Sequence, residues 1–224
     1  MKELRSTLSF GLRMIFFIMV PAMLGLILLR VPIVHLFFEH GTFTAHDTAE
    51  TALVVLCYSV GLWASGGVRI IVTAFYSLQD TRTPAISAAV ALAAHVLFSL
   101  VLMSFLGAAG LALATAFASM VNGVILVAVL NRRLGGVDWG AVGWSSGRVL
   151  VACIPLVIVC WWVASAEIWT HPAEWVAKSA MLFTAMALSA GGSLGVHALF
   201  KSEEFGVVWG IVRRKLGWAT GVSV

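Results

Sequence analysis

Gly61, Ser65, Arg69, Thr73 and Ser77 recur every four residues within an oily stretch, a spacing that predicts one helix face carrying small groups, hydroxyls and a guanidinium. Small and polar groups on one line suit the wall of an aqueous cavity, where Arg69 is available to an anionic ligand and Ser65 and Thr73 are its neighbours. That chemistry is binding, with no bond made or broken. The same residues admit a second reading, an arginine snorkelling to lipid headgroups from a tightly packed helix. Arg69 lies about 8 residues, or ~12 Å, from the near end of its helix. A charge there costs less than the roughly 2.5–3.5 kcal/mol of mid-span.

Other polar residues sit on similar lines. Gly110, Ala114, Ala118 and Asn122 repeat at four-residue spacing, as do Gly191 and Gly195; Ala85, Ala89 and Ala93 run beside Ser87, Ala91 and His95. Small residues so spaced let helix backbones approach, so close packing is expected at all of them, with His95 and Asn122 as interhelical hydrogen-bond partners. Asn122 is also a candidate cavity neighbour of Arg69. Constellations for catalysis are missing. His40, His46 and Asp47 match no metal-ligand spacing, no carboxylate is expected in a span near His95 for triad chemistry, and no Gly-rich loop precedes a lysine to hold a nucleotide. The residues therefore predict neither an enzyme nor a metal or cofactor protein. Cys57, Cys153 and Cys160 are odd in number, lack CxxC spacing and lie in apolar runs, so they read as reduced packing residues.

The elements that position these groups follow from composition. Of 224 residues, 61% are hydrophobic and 11% charged, with a mean hydropathy of +1.01, far too apolar for a soluble domain. A helix needs roughly 20 apolar residues to cross ~30 Å of hydrocarbon, and stretches of that length must satisfy their backbone internally, as helices do. Six are expected: about 10–29 with Pro21 inside, 49–77, 84–106, 111–130, 149–164 and 176–200. Val31–Phe38, after Arg30, reads as a separate short apolar segment. Thr44 and Asp47 read as a capping box opening the second span, and Asn131–Gly147 as a polar loop. The first apolar run outlasts a signal h-region and lacks an A-x-A-like site, so it is expected to act as its own insertion signal.

Basic residues alternate across the connections. Lys2, Arg5, Arg13, Arg82, Arg132, Arg133, Arg148, Lys201, Arg213, Arg214 and Lys215 fall on one side; the other holds Arg30 and Lys178 beside Glu39, Asp47, Glu50, Glu167 and Glu174. By the positive-inside rule both termini are expected in the cytoplasm. Residues 203–218 place Phe205, Val208, Trp209, Val212 and Leu216 at helical spacing opposite basic residues, an amphipathic tail in the membrane interface. The net charge of +4 comes from these local clusters and lacks the basic, aromatic-lined groove of a nucleic-acid binder.

The run Phe75-Tyr76-Ser77-Leu78-Gln79-Asp80-Thr81-Arg82-Thr83-Pro84 resembles the MurJ/MviN lipid II flippases, members of the multidrug/oligosaccharidyl-lipid/polysaccharide exporter superfamily. The resemblance extends to Gly11-Leu12-Arg13, to Phe37-Phe38-Glu39-His40-Gly41-Thr42-Phe43-Thr44 and to Gly107-Ala108-Ala109-Gly110-Leu111-Ala112-Leu113-Ala114-Thr115, in order, and is good over about residues 9–134. Leu78 departs from a common basic residue and His95 from a frequent Asn. In the first motif Asp80 and Thr81 suit a helix cap, Pro84 its first turn and Arg82 the headgroup level, the making of a cytoplasmic hinge or of a plain turn.

The resemblance implies an all-α polytopic membrane bundle. Family members have about fourteen spans in two six-helix lobes plus an extra pair, and matched by order this chain corresponds to the last six. Residues 1–134 would be part of the second lobe, 135–200 the extra pair and 201–224 a cytoplasmic tail, in a bacterial inner membrane. The implied substrate is an undecaprenyl-linked peptidoglycan precursor, held at Arg69, Ser65, Thr73 and Asn122. Implied partners are membrane lipids and the missing N-terminal lobe or another membrane protein. Three roles stay open: part of a lipid II transporter, a transport-incompetent fragment or split-transporter subunit, or an exporter of another lipid or polysaccharide in the same superfamily.

Overall fold

The computed structural model describes residues 2–134, 139–166, 169 and 175–199, together with 206 and 210. Within them the chain is helical: α1 (Lys2–Phe38), α2 (Ala45–Val60), α3 (Leu62–Ser77), α4 (Arg82–Leu106), α5 (Ala108–Leu134), α6 (Trp139–Ala152), α7 (Ile154–Ala164) and α8 (Trp175–Leu199). Six stretches are long and apolar enough to cross a membrane: α1, α2 with α3, α4, α5, α6 with α7, and α8. The expected all-α six-span bundle is therefore present. The amphipathic tail expected at 203–218 lies outside the described residues, apart from the backbone of Gly206 and Gly210.

Two spans differ from expectation in continuity. The first runs unbroken to Phe38, so Val31–Phe38 is its last two turns and no separate segment, despite Pro21 and Pro32 inside the helix. Each proline forfeits one backbone hydrogen bond, but ending the helix in hydrocarbon would strand several more. Arg30 fits because its Nη1 donates to the Ile27 carbonyl at 2.6 Å. The second span, by contrast, is jointed at Gly61. A Cβ there would lie 2.6 Å from Ala116 Cα, so α2 and α3 meet where the α5 backbone presses against them. At the start of α2 the capping box forms as expected: the Thr44 amide donates to Asp47 Oδ2 at 2.8 Å and Thr44 Oγ1 accepts from the Asp47 amide.

Helix α5 packs against α2, α3 and α4. It can do so because Ala109, Ala112, Ala114, Ala116 and Ala118 are all buried; side chains this small let neighbouring backbones close in. Gly110 is the tightest point, since a Cβ would stand 2.2 Å from the Leu102 carbonyl oxygen of α4. The turn between those helices needs Gly107, at φ +56°. Close packing thus holds for the α5 line. It fails for Ala85, Ala89 and Ala93, which are exposed, and for Gly191 and Gly195, which have nothing within 4 Å of a built Cβ. The buried line of α8 is instead Lys178, Leu182, Ala185, Ser189, Ser193 and His197.

The two largest apolar cores share α1. One joins Leu8 and Leu12 to Ile71 and Phe75 of α3 and Leu126 and Leu130 of α5. The other joins Leu29 and Leu36 to Leu156, Cys160 and Val163 of α7 and Leu182 of α8. The expected loop 131–147 is largely helix: α5 continues to Leu134, with Arg132 and Arg133 in its last turn complementing the helix dipole, and α6 begins at Trp139. The fifth span is jointed at Cys153, with Pro155 in the first turn of α7. The cysteines are free and buried, as expected of packing residues.

Candidate functional site

A four-residue repeat outruns the 3.6-residue turn, rotating by about 40° per step, so the stripe from Gly61 to Ser77 cannot stay on one face. Gly61 and Ser65 point at α5, and Ser65 Oγ donates to Ser119 Oγ at 3.0 Å. One and two turns beyond Ser65, Arg69 and Thr73 have swung out and are exposed, as is Tyr76. Thr73 Oγ1 donates to its own helix, at the Arg69 carbonyl, 2.9 Å away. Arg69 has no hydrogen bond or ion pair among the described residues. Asn122 also turns inward: its Oδ1 accepts from Ser87 Oγ of α4. Of the four expected binding residues, the structure therefore brings Arg69 and Thr73 to an open face and commits Ser65 and Asn122 to packing. The interhelical role expected of Asn122 is seen, and likewise for His95, whose Nε2 lies 3.1 Å from Thr115 Oγ1.

Thr73 and Ser77 edge a groove of about 250 Å³ between α3 and α1, with Thr7 and Gly11 across it. On the far side of α3 a groove of about 520 Å³ is lined by apolar side chains, among them Leu12, Trp63, Ile71 and Val124.

The turn at 75–84 is built by capping at both ends. Helix α3 closes with the Asp80 amide donating to the Phe75 carbonyl at 3.0 Å and the Gln79 amide to the Tyr76 carbonyl at 3.0 Å, which sets Gln79 at φ +61°. Asp80 then opens α4: its Oδ1 accepts from the Thr83 amide at 2.9 Å and its Oδ2 from Thr83 Oγ1 at 2.6 Å. The expected cap is present at Asp80 but not at Thr81, whose side chain makes no capping bond. Pro84 is buried in the first turn and Arg82 is exposed. Sequence reasoning missed Arg133, whose Nη1 meets Asp80 Oδ2 at 2.6 Å, tying the end of α5 to this turn. The two Thr83 hydrogen bonds, with Arg133 beyond them, hold the Asp80 carboxyl below the usual carboxylate range.

A second polar cluster was also missed. Lys178 of α8 is buried at 7% exposure, its Nζ 2.7 Å from His35 Nε2, while His35 Nδ1 lies 2.7 Å from Glu39 Oε2. The His35–Glu39 spacing of four residues was a readable signal; the partner 143 residues away was not. Among the described residues no three His, Cys, Asp or Glu side chains gather as a metal site would require.

Among the described residues, six membrane-length spans and an arginine without a partner on an open helix face define a multi-pass helical membrane protein. The family model for the lipid II flippase MurJ matches residues 1–185, and the chain belongs to that family. A probable lipid II flippase MurJ of Vibrio cholerae is 33% identical over 120 residues, 54% of this chain and 23% of the relative. One from Rhizobium meliloti is 29% identical over 195 residues, 85% of this chain and 35% of the relative. A lipid II flippase MurJ of Burkholderia cenocepacia is 27% identical over 209 residues, 92% of this chain and 38% of the relative. The chain thus spans between 23% and 38% of the length of these three relatives.

Proposed function

We propose that this chain forms the C-terminal part of a lipid II flippase-like transporter, moving an undecaprenyl-linked peptidoglycan precursor across a bacterial inner membrane for cell-wall synthesis. The observation that carries the reading is Arg69, exposed on a membrane-spanning helix with no internal partner among the described residues. A cation left open inside a span gains most from an anion that comes and goes, and the headgroup of such a precursor is anionic. Thr73, one turn away, adds a hydroxyl on the same face; Ser65 and Asn122 act behind it, by holding α3 and α4 to α5.

No covalent chemistry is needed, because the barrier is the cost of taking a charged headgroup through hydrocarbon. Alternating access would rock this part of the bundle against an opposing lobe, with the capped turn at Asp80, Thr81, Arg82 and Pro84 as its cytoplasmic hinge and both termini in the cytoplasm. In this reading residues 1–134 belong to the second lobe, 135–200 to the extra pair and 201–224 to a cytoplasmic tail.

A second form of the same reading is a split-transporter subunit that acts only with a partner. Helix α4 supports it, because Leu92, Leu97, Leu100 and Phe105 are all more than 60% exposed and need lipid or another membrane protein against them. The test is complementation of cells depleted of their lipid II flippase, with the chain alone and with the missing spans supplied in trans. Rescue by the pair and loss of rescue with Arg69→Ala is the expected result. Full rescue by the Arg69→Ala pair would sink the headgroup assignment, and failure of both combinations would leave a transport-incompetent fragment.

A further inference from the structure

At the end of the bundle where α1 finishes and α2 and α8 begin, three ionisable side chains from distant parts of the chain meet. Lys178 Nζ, His35 and Glu39 Oε2 form a chain with both links at 2.7 Å, and Thr48 Oγ1 of α2 donates to the same carboxylate oxygen at 2.6 Å. The Trp169 ring stands edge-on to the imidazole, 6.0 Å between centroids. Among the described residues the ionisable groups facing His35 are thus Glu39 from α1 and Lys178 from α8; α2 contributes the neutral Thr48, its His46 and Glu50 being exposed and set against each other.

An ammonium has donors only. His35 must therefore present the Nε2 lone pair to Lys178, which places its proton on Nδ1, where Glu39 accepts it. Ammonium, neutral imidazole and carboxylate then sum to zero charge, and every contact has one donor and one acceptor. One more proton on the imidazole makes Nε2 a donor aimed at a cation 2.7 Å away. We propose that Lys178, His35 and Glu39 form a proton-binding site that latches α8 to α1, closed while the imidazole is neutral and released when His35 takes up a proton. Histidine is the side chain whose ordinary charge change falls at about pH 5–8. Glu39 remains an acceptor through that range: desolvation pushes its carboxyl up, but the Thr48 and His35 hydrogen bonds outweigh it and hold the group below its ordinary value.

Beneath the latch lies the core of α1, α7 and α8, which contains Cys160 at 1% exposure, 3.4 Å from Ser189 Oγ of α8. It is a native reporter of the opening of the core that α1, α7 and α8 share. The experiment takes the full chain in lipid nanodiscs with Cys57→Ala and Cys153→Ala, and follows N-ethylmaleimide labelling of Cys160 from about pH 8 to 5.5, corrected at each pH by the rate on unfolded protein. Labelling should rise as pH falls, by up to about tenfold per pH unit for uptake of one proton. In His35→Gln the amide can accept from Lys178 and donate to Glu39 without titrating, so the corrected rate should stay low and flat. Lys178→Met, which removes the repelled cation, should also be flat and serves if the glutamine variant does not fold. A pH-independent rate in the parent, or a pH-dependent one in either folded variant, overturns the proposal. The readout needs no transport, so it stands or falls separately from the flippase reading.

Discussion

Arg69 and Lys178 are both cations within membrane spans, and the two halves of the bundle treat them in opposite ways. Around α3 the guanidinium is turned out, with no partner among the described residues. Around α8 the ammonium is turned in, with His35 and Glu39 from α1 closing over it. A charge in a span persists by reaching a polar environment or by bringing one with it. The first solution leaves a cation available to something outside the fold; the second spends it on holding helices together. Ligand effects and stability effects of mutation should therefore separate between the two sites.

The largest stability effect should come from disturbing how α3 is seated, because that seating turns Arg69 outward. Gly61→Val places a side chain where a Cβ already lies 2.6 Å from α5 backbone, and overpacking of this kind should cost about 3 kcal/mol; a thermal midpoint unchanged in detergent would refute it. Next, Glu39→Ala removes the acceptor at the end of the Lys178 chain and should cost about 1–3 kcal/mol. Its pH dependence carries a sign. The folded carboxyl lies below its ordinary value of 4.5, so the part of the stabilisation that depends on its own ionisation is fully present above that pH and fades as the pH falls through the lower folded value. The wild-type advantage over Glu39→Ala should shrink under acid; an advantage growing below pH 4.5 would contradict it.

Smaller still is Gln79→Gly. A non-glycine residue at φ +61° is strained, and glycine should raise stability by about 1 kcal/mol, read as a higher unfolding midpoint. At the bottom of the series is Arg69→Ala. An exposed, unpartnered side chain should change stability by less than about 0.5 kcal/mol, while complementation by the reassembled transporter is lost. If Arg69→Ala unfolds the chain as readily as Glu39→Ala does, the contrast between the two cations collapses.

Much of this architecture is legible in the residues. Six apolar runs gave six spans, the Thr44 and Asp47 pair gave a capping box, and the alanine-rich line of α5 announced close approach. Period and length are local properties, so a linear reading recovers them. The site was less legible for two physical reasons. A four-residue spacing looks like one face over two turns, yet the accumulated rotation takes Ser65 inward and Arg69 outward. Partnerships such as Asp80 with Arg133, or His35 with Lys178, join side chains brought near only by packing. The Gly61 joint was hidden as well, because a single glycine in an apolar run signals a break only when the neighbour that crowds it is known.

The continuity of α1 has a mechanical corollary. Its neighbours α2/α3 and α6/α7 each carry a joint, at Gly61 and at Cys153, while α1 runs 37 residues without one and anchors the two largest apolar cores. Deformation concentrates where a rod is weakest. Flexing of the bundle should therefore be taken up in those two elbows, with the first helix acting as the keel that carries displacement from one flank to the other.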